Sequence, residues 1–234
     1  MHSKISKGFS PGIFEPNYFM RDGLKNAVCK YAGKMHGKMM DFGCGSKPYK
    51  NLFGVDEYIG IDYENEGHPH KNEQIDVFYD GKTIPFENGY FDSVLCSEVI
   101  EHVFDLPLVL TEINRVTKQN GVLLFTCPFV WSEHEVPHDY ARYTRFALED
   151  AFTKAGFEII TIEKTGNFIT TMSQMACLYS YISIYPRIKK IFFLRWFYKF
   201  FLIFIPNTMG IVLSKLLPRN DDIYLSNIVW AKKK

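Results

Sequence analysis

Met39-Met40-Asp41-Phe42-Gly43-Cys44-Gly45 is the stretch that decides the fold. Lys38 to Phe42 reads as a short buried strand that runs into a glycine turn. Glycines there let the chain turn tightly and bring main-chain N–H groups close to a ligand. Working outward, similar short apolar runs recur. Tyr58 to Asp62 is a second strand, Ile75 to Tyr79 a third, and Phe91 to Cys96 a fourth. Gly121 to Cys127, Phe157 to Glu163 and Ile223 to Ala231 follow. Helical patterns lie between several of them. Residues 15–36 place Phe19, Leu24, Val28 and Tyr31 on one face. Residues 106–118 have Leu110, Ile113 and Val116 as their inner face, and residues 144–155 run from a Thr cap to Gly156. Strands alternating with helices imply an α/β fold with a mostly parallel, doubly wound, Rossmann-like sheet.

In such a sheet, ligands bind outside the carboxyl ends of the strands. What stands at those ends is the turn itself, then Asp62 followed by Tyr63, then Asp80-Gly81, then Cys96-Ser97-Glu98. Each suits a nucleoside. Asp62, 17 positions past Gly45, is placed to accept from ribose hydroxyls. Asp80 is placed to accept from an adenine amine, and Gly81 lets the base edge approach. Asp41 and Glu98 fall toward the end of such a ligand away from its base. Taken singly, Asp62 is equally a helix cap and Asp80 a turn residue. A nicotinamide dinucleotide needs G-x-G-x-x-G, but Gly43 to Pro48 reads GCGSKP, with proline where the third glycine belongs.

The same stretches resemble the class I methyltransferases, in the broad group of ubiquinone-biosynthesis methyltransferases. Residues 39–45 resemble the first motif and Ile59-Gly60-Ile61-Asp62 the second. Asp80 to Phe86 with Gly89 to Val94 resemble the third, and Ser97 to Val103, which contains His102, the fourth. Glu112 to Gly121 resembles the segment before strand five, with Gln119-Asn120 in place of Pro-Gly. The resemblance covers about residues 38 to 165. It implies S-adenosylmethionine as cofactor and a seven-stranded sheet with its last strand antiparallel. It also implies a cofactor set of Asp41, Phe42, Gly43, Gly45, Asp62, Tyr63, Asp80, Gly81, Ser97, Glu98 and His102. Arg21 is placed either at the cofactor carboxylate or as a solvated helix charge.

The acceptor side falls on residues 132–144, SEHEVPHDYARYT. A sulfonium methyl is already electrophilic, so the protein must align a nucleophile and take its proton. His134 or His138, oriented by Asp139 or Glu135, suits a hydroxyl acceptor. Tyr140, Arg142 and Tyr143 suit a saccharide face or a phosphate. A structural network of His138, Asp139 and Arg142 is the competing reading. The segment also resembles methyltransferases of bacterial surface-polysaccharide biosynthesis, which implies a glycan acceptor.

The five cysteines are scattered, without CxxC spacing, which suits a reducing cytosol and no disulfide framework. Cys44, Cys96 and Cys127 would end adjacent strands near His102 and His134, but thiols there pack as small hydrophobes, and no metal is expected. The polar N-terminal stretch lacks an apolar run, so no secretory signal is expected.

The net charge of +1 hides an asymmetry. Residues 164–220 contain eight Lys or Arg and no Asp or Glu. Within them, residues 191–205 read IFFLRWFYKFFLIFI, with Arg195 and Lys199 four apart. A spanning helix needs ~20 apolar residues. This run is shorter and is expected to stop at Pro206, which suits an interfacial helix on anionic lipid. A subdomain packed on the sheet or a dimer contact are the alternatives. Nucleic acid is excluded as a partner, because the cations are interleaved with apolar runs.

The expected organisation is one methyltransferase domain: a helical cap (1–37), a cofactor core (38–165), a hydrophobic basic insertion (166–220) and the last strand (221–234). The expected activity is O-methylation of a glycan hydroxyl by a cytoplasmic protein with membrane contact through 187–217. A quinone-like small-molecule acceptor and a non-catalytic membrane module are the alternatives.

Overall fold

The computed structural model describes residues 5–63 and 73–234. Seven strands form one sheet: β1 (Lys38–Phe42), β2 (Glu57–Asp62), β3 (Val77–Phe78), β4 (Phe91–Ser97), β5 (Thr117–Pro128), β6 (Phe157–Thr165) and β7 (Ser226–Lys233). Their order is β3-β2-β1-β4-β5-β7-β6. Strands β3, β2, β1, β4 and β5 pair in parallel, and β7 lies antiparallel between β5 and β6. The expected sheet is therefore present, with its last strand antiparallel. The order reverses between β1 and β4, so the crevice opens above those two strands.

Alternation sorts the core into two layers. Met40, Val94, Cys96, Leu123 and Phe125 face α2 (Leu106–Val116) and α3 (Arg145–Lys154). Met39, Leu95, Leu124 and Trp230 face α1 (Tyr18–Ala32), which supplies Leu24, Val28 and Tyr31. Both faces of the central strands are covered, which is why β1 reads as an unbroken apolar run with one buried carboxylate. Helix α2 starts where Asp105 accepts the Leu108 N–H, and α3 where Thr144 accepts the Ala147 N–H.

Several boundaries differ from expectation, and two of them bear on the sheet. Strand β5 begins at Thr117 rather than Gly121, directly after α2. Asn120 takes a φ of 62° there, a left-handed turn that Asn tolerates, so pairing with β4 continues past it. Strand β3 is only two residues long, because Asp76 turns its carboxylate back onto the Gly60 N–H and the Lys47 ammonium.

The basic insertion is helical: α4 (Phe168–Tyr179), α5 (Tyr185–Ile188), α6 (Phe192–Phe197) and α7 (Ile205–Leu216). A π-helical stretch, Tyr198–Phe204, joins α6 to α7, giving a continuous 25-residue helix from Phe192 to Leu216. The apolar run thus does not stop at Pro206. Proline cannot donate to the carbonyl four positions back, Leu202, but that oxygen accepts from the Ser180 hydroxyl at 3.3 Å. The second half of this helix is anchored: Asn207 Nδ2 donates to the carbonyls of Ile13 and Glu15, and Gly210 abuts Ser173 and Phe19. The first half leaves Phe192, Phe193, Trp196 and Phe197 exposed.

Candidate active site

A cavity of about 470 Å³ opens above the switch between β1 and β4. That is within the range of small-molecule sites, ~300–1,000 Å³. One end is built by the glycine turn. Gly43 has φ 72°, and a Cβ there would sit 2.3 Å from Val99 Cγ2, so glycine alone fits. Gly45 donates its N–H to Asp62 Oδ2 at 2.8 Å, and Tyr63 N donates to Oδ1 at 2.8 Å. Asp62 is thus held at the end of β2 and on the cavity wall. Asp80 Oδ1 accepts from the Lys82 and Thr83 N–H groups, so it fixes its own turn as well as lining the cavity.

Between these ends stand Glu98 and Val99. Glu98 holds a φ of 57°, and its N–H donates to the Thr126 carbonyl at 2.9 Å. Its Oε1 is buried without a hydrogen-bond partner, and burial pushes the carboxyl up to about 7. Strained backbone and an orphaned acceptor at a cavity wall mark a position shaped for a ligand.

The far wall carries His102, Glu135, His138 and Tyr140. His102 sits on a short 3₁₀ turn, Ile100–His102, to which residues 140 and 141 are tied by N–H bonds to the Glu101 carbonyl. His138 Nδ1 lies 2.9 Å from the Tyr140 hydroxyl. Phe104, 85 % exposed, meets Tyr140 edge to face at 5.3 Å, making an aromatic rim.

Of the residues singled out from sequence, Phe42, Gly43, Gly45, Asp62, Tyr63, Asp80, Gly81, Glu98, His102, His138 and Tyr140 line the cavity together. Seven stand outside its lining. Asp41 is buried at the end of β1, hydrogen-bonded by Tyr58, and burial lifts it to about 7. Ser97 pairs with the Thr126 hydroxyl at 3.0 Å. Asp139 takes both arms of Arg142 at 2.6 and 2.7 Å, plus the His134 N–H at 3.0 Å. Burial alone would raise the Asp139 carboxyl, but these donors hold it down to about 2. Arg142 also donates to the carbonyls of Ala141 and Ser132, so the pair anchors the loop. Tyr143 packs against the core and offers its carbonyl to Asn227. His134 stacks edge to face on His102, and burial with the neighbouring ring lowers its pKa. Arg21 lies over the Phe9 ring at 4.0 Å.

Sequence reasoning missed Tyr79, Lys82, Val99, Val103, Phe104, Asp105 and Val109, which complete the lining, and named Glu135 only as an orienting group. Aromatic and aliphatic residues carry no motif signal of their own. Lys82, Val99 and Val103, which lie inside the motif segments 80–86 and 97–103, could have been found that way.

Residues 40–125 match a family model described as a methyltransferase domain. Over that stretch, just over a third of its length, the chain is similar to methyltransferase domains. The chain is 24 % identical over 136 residues to the biotin biosynthesis bifunctional protein BioHC of Saccharophagus degradans, covering 53 % of this chain and 24 % of that one. It is 30 % identical over 102 residues to a malonyl-[acyl-carrier protein] O-methyltransferase of Legionella pneumophila, covering 38 % of this chain and 35 % of that one. The alignments thus span about a quarter to a third of these curated relatives. Among solved structures, phosphoethanolamine N-methyltransferase 2 of Haemonchus contortus, in complex with S-adenosyl-L-methionine, has a TM-score of 0.52 at 20 % identity, covering 91 % of this chain and 52 % of that one. The [4+2]-cyclase SpnF has a TM-score of 0.56 at 17 % identity, covering 91 % and 81 %. At these identities the likeness is one of fold.

Proposed function

We propose that this methyltransferase uses S-adenosylmethionine to O-methylate a sugar hydroxyl of a lipid-linked or surface glycan. The observation that carries the reading is the cavity itself. It joins the Gly43–Asp62 cradle at one end to a wall of His138, Tyr140 and Phe104 at the other. When bound, S-adenosylmethionine supplies an electrophilic methyl group. The cradle fits it: Gly43 brings backbone within reach, and Asp62 presents a carboxylate suited to a ribose diol. Glu98 offers an unpartnered buried oxygen beside them.

On the acceptor side, His138 is the general base. With Nδ1–H donated to the Tyr140 hydroxyl, Nε2 keeps its lone pair for a hydroxyl proton. The Asp139–Arg142 pair holds the loop that carries His138. The Phe104–Tyr140 rim gives a sugar ring an apolar face to lie against. The aliphatic wall of Val103 and Val109 favours a second reading, a quinone-like acceptor.

The protein works from the cytoplasm with α6 on the inner membrane surface. Helix Phe192–Leu216 is long enough to cross a bilayer, with a mean hydropathy of 1.5. Its second half, however, is held against the N-terminal segment by Asn207 and cannot be wrapped in lipid. An interfacial position lets Phe192, Phe193 and Trp196 enter the headgroup region, with Arg195 and Lys199 beside anionic lipid.

The test is calorimetric titration with S-adenosylhomocysteine, followed by mass comparison of cell-surface glycans with and without the protein. Binding and a 14 Da loss from a glycan in its absence are expected, one methylene being the mass a methyl transfer adds. An unchanged glycan together with a methylated quinone would replace the sugar reading by the second.

A further inference from the structure

Glu101 lies buried behind the far wall, next to His102, and is the least explained residue there. Its side chain is fully buried, and neither carboxylate oxygen has a hydrogen-bond partner. Leaving such a group unpaired is costly unless something positive faces it. What faces it is a pair of imidazoles. Glu101 Oε1 lies 3.8 Å from His102 Nε2 and 3.9 Å from His134 Nε2. The two Nε2 atoms are 3.1 Å apart.

The other ring nitrogens settle what these atoms carry. His102 Nδ1 lies 2.8 Å from the His138 carbonyl, an acceptor only, so Nδ1 bears the proton. His134 Nδ1 lies 3.2 Å from the Ser132 carbonyl and 3.3 Å from Asp139 Oδ2, again acceptors only. Both Nε2 atoms therefore present lone pairs, and they present them to each other and to a carboxylate. Histidines held by a carbonyl or carboxylate at one nitrogen are the usual arrangement of metal ligands. A proton shared between the rings would satisfy the nitrogens but leave both Glu101 oxygens without a donor.

We infer that Glu101, His102 and His134 form a site for a divalent first-row transition metal ion on the acceptor side of the crevice. A triangle with edges of 3.1, 3.8 and 3.9 Å seats an ion about 2.1 Å from each corner, the usual Zn–N and Zn–O distance. Two imidazoles and one carboxylate are a catalytic ligand set that keeps a position open. Glu135 Oε2 lies 3.8 Å from His102 Nε2, and Glu135 lines the cavity. The set departs from the sequence expectation of no metal. The adjacent Glu101-His102 pair and His134 have no recognised ligand spacing, and the three cysteines take no part in it.

The ion's role rests on the methyl-transfer reading; its binding does not. In its open position it takes the acceptor oxygen and lowers that hydroxyl's pKa. The proton passes to His138, the oxygen–methyl bond forms, and the sulfur–methyl bond breaks with its electron pair left on sulfur.

The experiment is titration of chelator-treated full chain with Zn2+, Mn2+ and Co2+, with S-adenosylhomocysteine affinity measured on the same samples. One ion per chain is expected, with affinity falling at least tenfold in Glu101→Gln and His134→Ala while S-adenosylhomocysteine affinity is kept. Absence of stoichiometric binding by all three ions overturns the site, as does binding that both substitutions leave unchanged. Should the variants fail to fold, the visible spectrum of Co2+-loaded wild type decides, since a spectrum without imidazole ligation overturns the site. Metal binding without S-adenosylhomocysteine binding would keep the site and sink the methyltransferase reading instead.

Discussion

The backbone N–H of Gly45 donates to Oδ2 of Asp62 at 2.8 Å, tying the glycine turn after β1 to the carboxylate that ends β2. The bond makes one unit of two motifs 17 positions apart. Asp62→Ala removes the carboxylate and releases the turn, so S-adenosylhomocysteine affinity falls by roughly 10- to 100-fold, the worth of one or two hydrogen bonds to a charged group. Asp62→Asn, which keeps an acceptor for Gly45, falls less. Calorimetry of both variants checks the order.

Gly43→Ala tests the cradle. A Cβ at φ 72° is strained and collides with Val99 Cγ2 at 2.3 Å. The strain costs about 1–2 kcal/mol and lowers the thermal midpoint by several degrees. Adding Val99→Ala relieves the collision but not the strain, so the double variant recovers part of the midpoint. Full recovery would show that sterics alone excluded the side chain.

Asp41 makes stability pH-dependent. Burial raises its carboxyl to about 7 in the folded chain, against an ordinary value of 3.8. The folded state holds the proton more tightly than the unfolded state, so this carboxyl favours folding below pH ~4. That contribution is lost as pH rises to ~7 and stays constant above. Asp41→Asn, which cannot ionise, loses that slope. Denaturant melts of both proteins across that window should differ by a few kcal/mol between its ends.

Breaking the loop anchor separates positioning from chemistry. Arg142→Ala leaves Asp139, whose side chain is 4 % exposed, without its fork of donors. Unpairing a buried carboxylate costs about 3–5 kcal/mol. Because the loop spans residues 129–144, the loss is expected as faster amide exchange there and a lower turnover number. Affinity for S-adenosylhomocysteine, bound at the other end of the cavity, is expected to hold.

Charge at the exposed helix is tested with vesicles. Arg195→Gln with Lys199→Gln removes two cations, each worth about 1 kcal/mol near an anionic surface. Co-sedimentation with vesicles containing phosphatidylserine is expected to weaken by roughly 30-fold, at ~1 kcal/mol for each charge removed. Binding to zwitterionic vesicles is expected to change little. Equal loss on both would assign the binding to apolar contact alone.

Much of the sheet was legible because parallel strands buried on both faces must be short apolar runs, and β1, β2 and β4 are. Their carboxyl ends named Asp62, Asp80 and Glu98, since the chain direction alone sends those residues to one crevice. The insertion was less legible. Pro206 ends a helix by local rules, but here a π-helical stretch, Tyr198–Phe204, leads into it, and the Ser180 hydroxyl reaches the Leu202 carbonyl that proline leaves unserved.

What the sequence by itself determined is therefore the strands of the cofactor side and the residues at their carboxyl ends, because periodicity and chain direction act within a segment. What only the tertiary structure decided is the use of the loop at 132–144. Asp139 was equally able to orient a histidine or to anchor an arginine; packing gave it both, Arg142 at 2.6 Å and His134 Nδ1 at 3.3 Å, and left His138 to Tyr140. Glu101 drew no attention as one residue of a helical turn. It matters because folding places its unpaired oxygens beside His102 and, across 33 positions, His134. Local spacing cannot encode that meeting; the energy of a buried charge seeking a partner can.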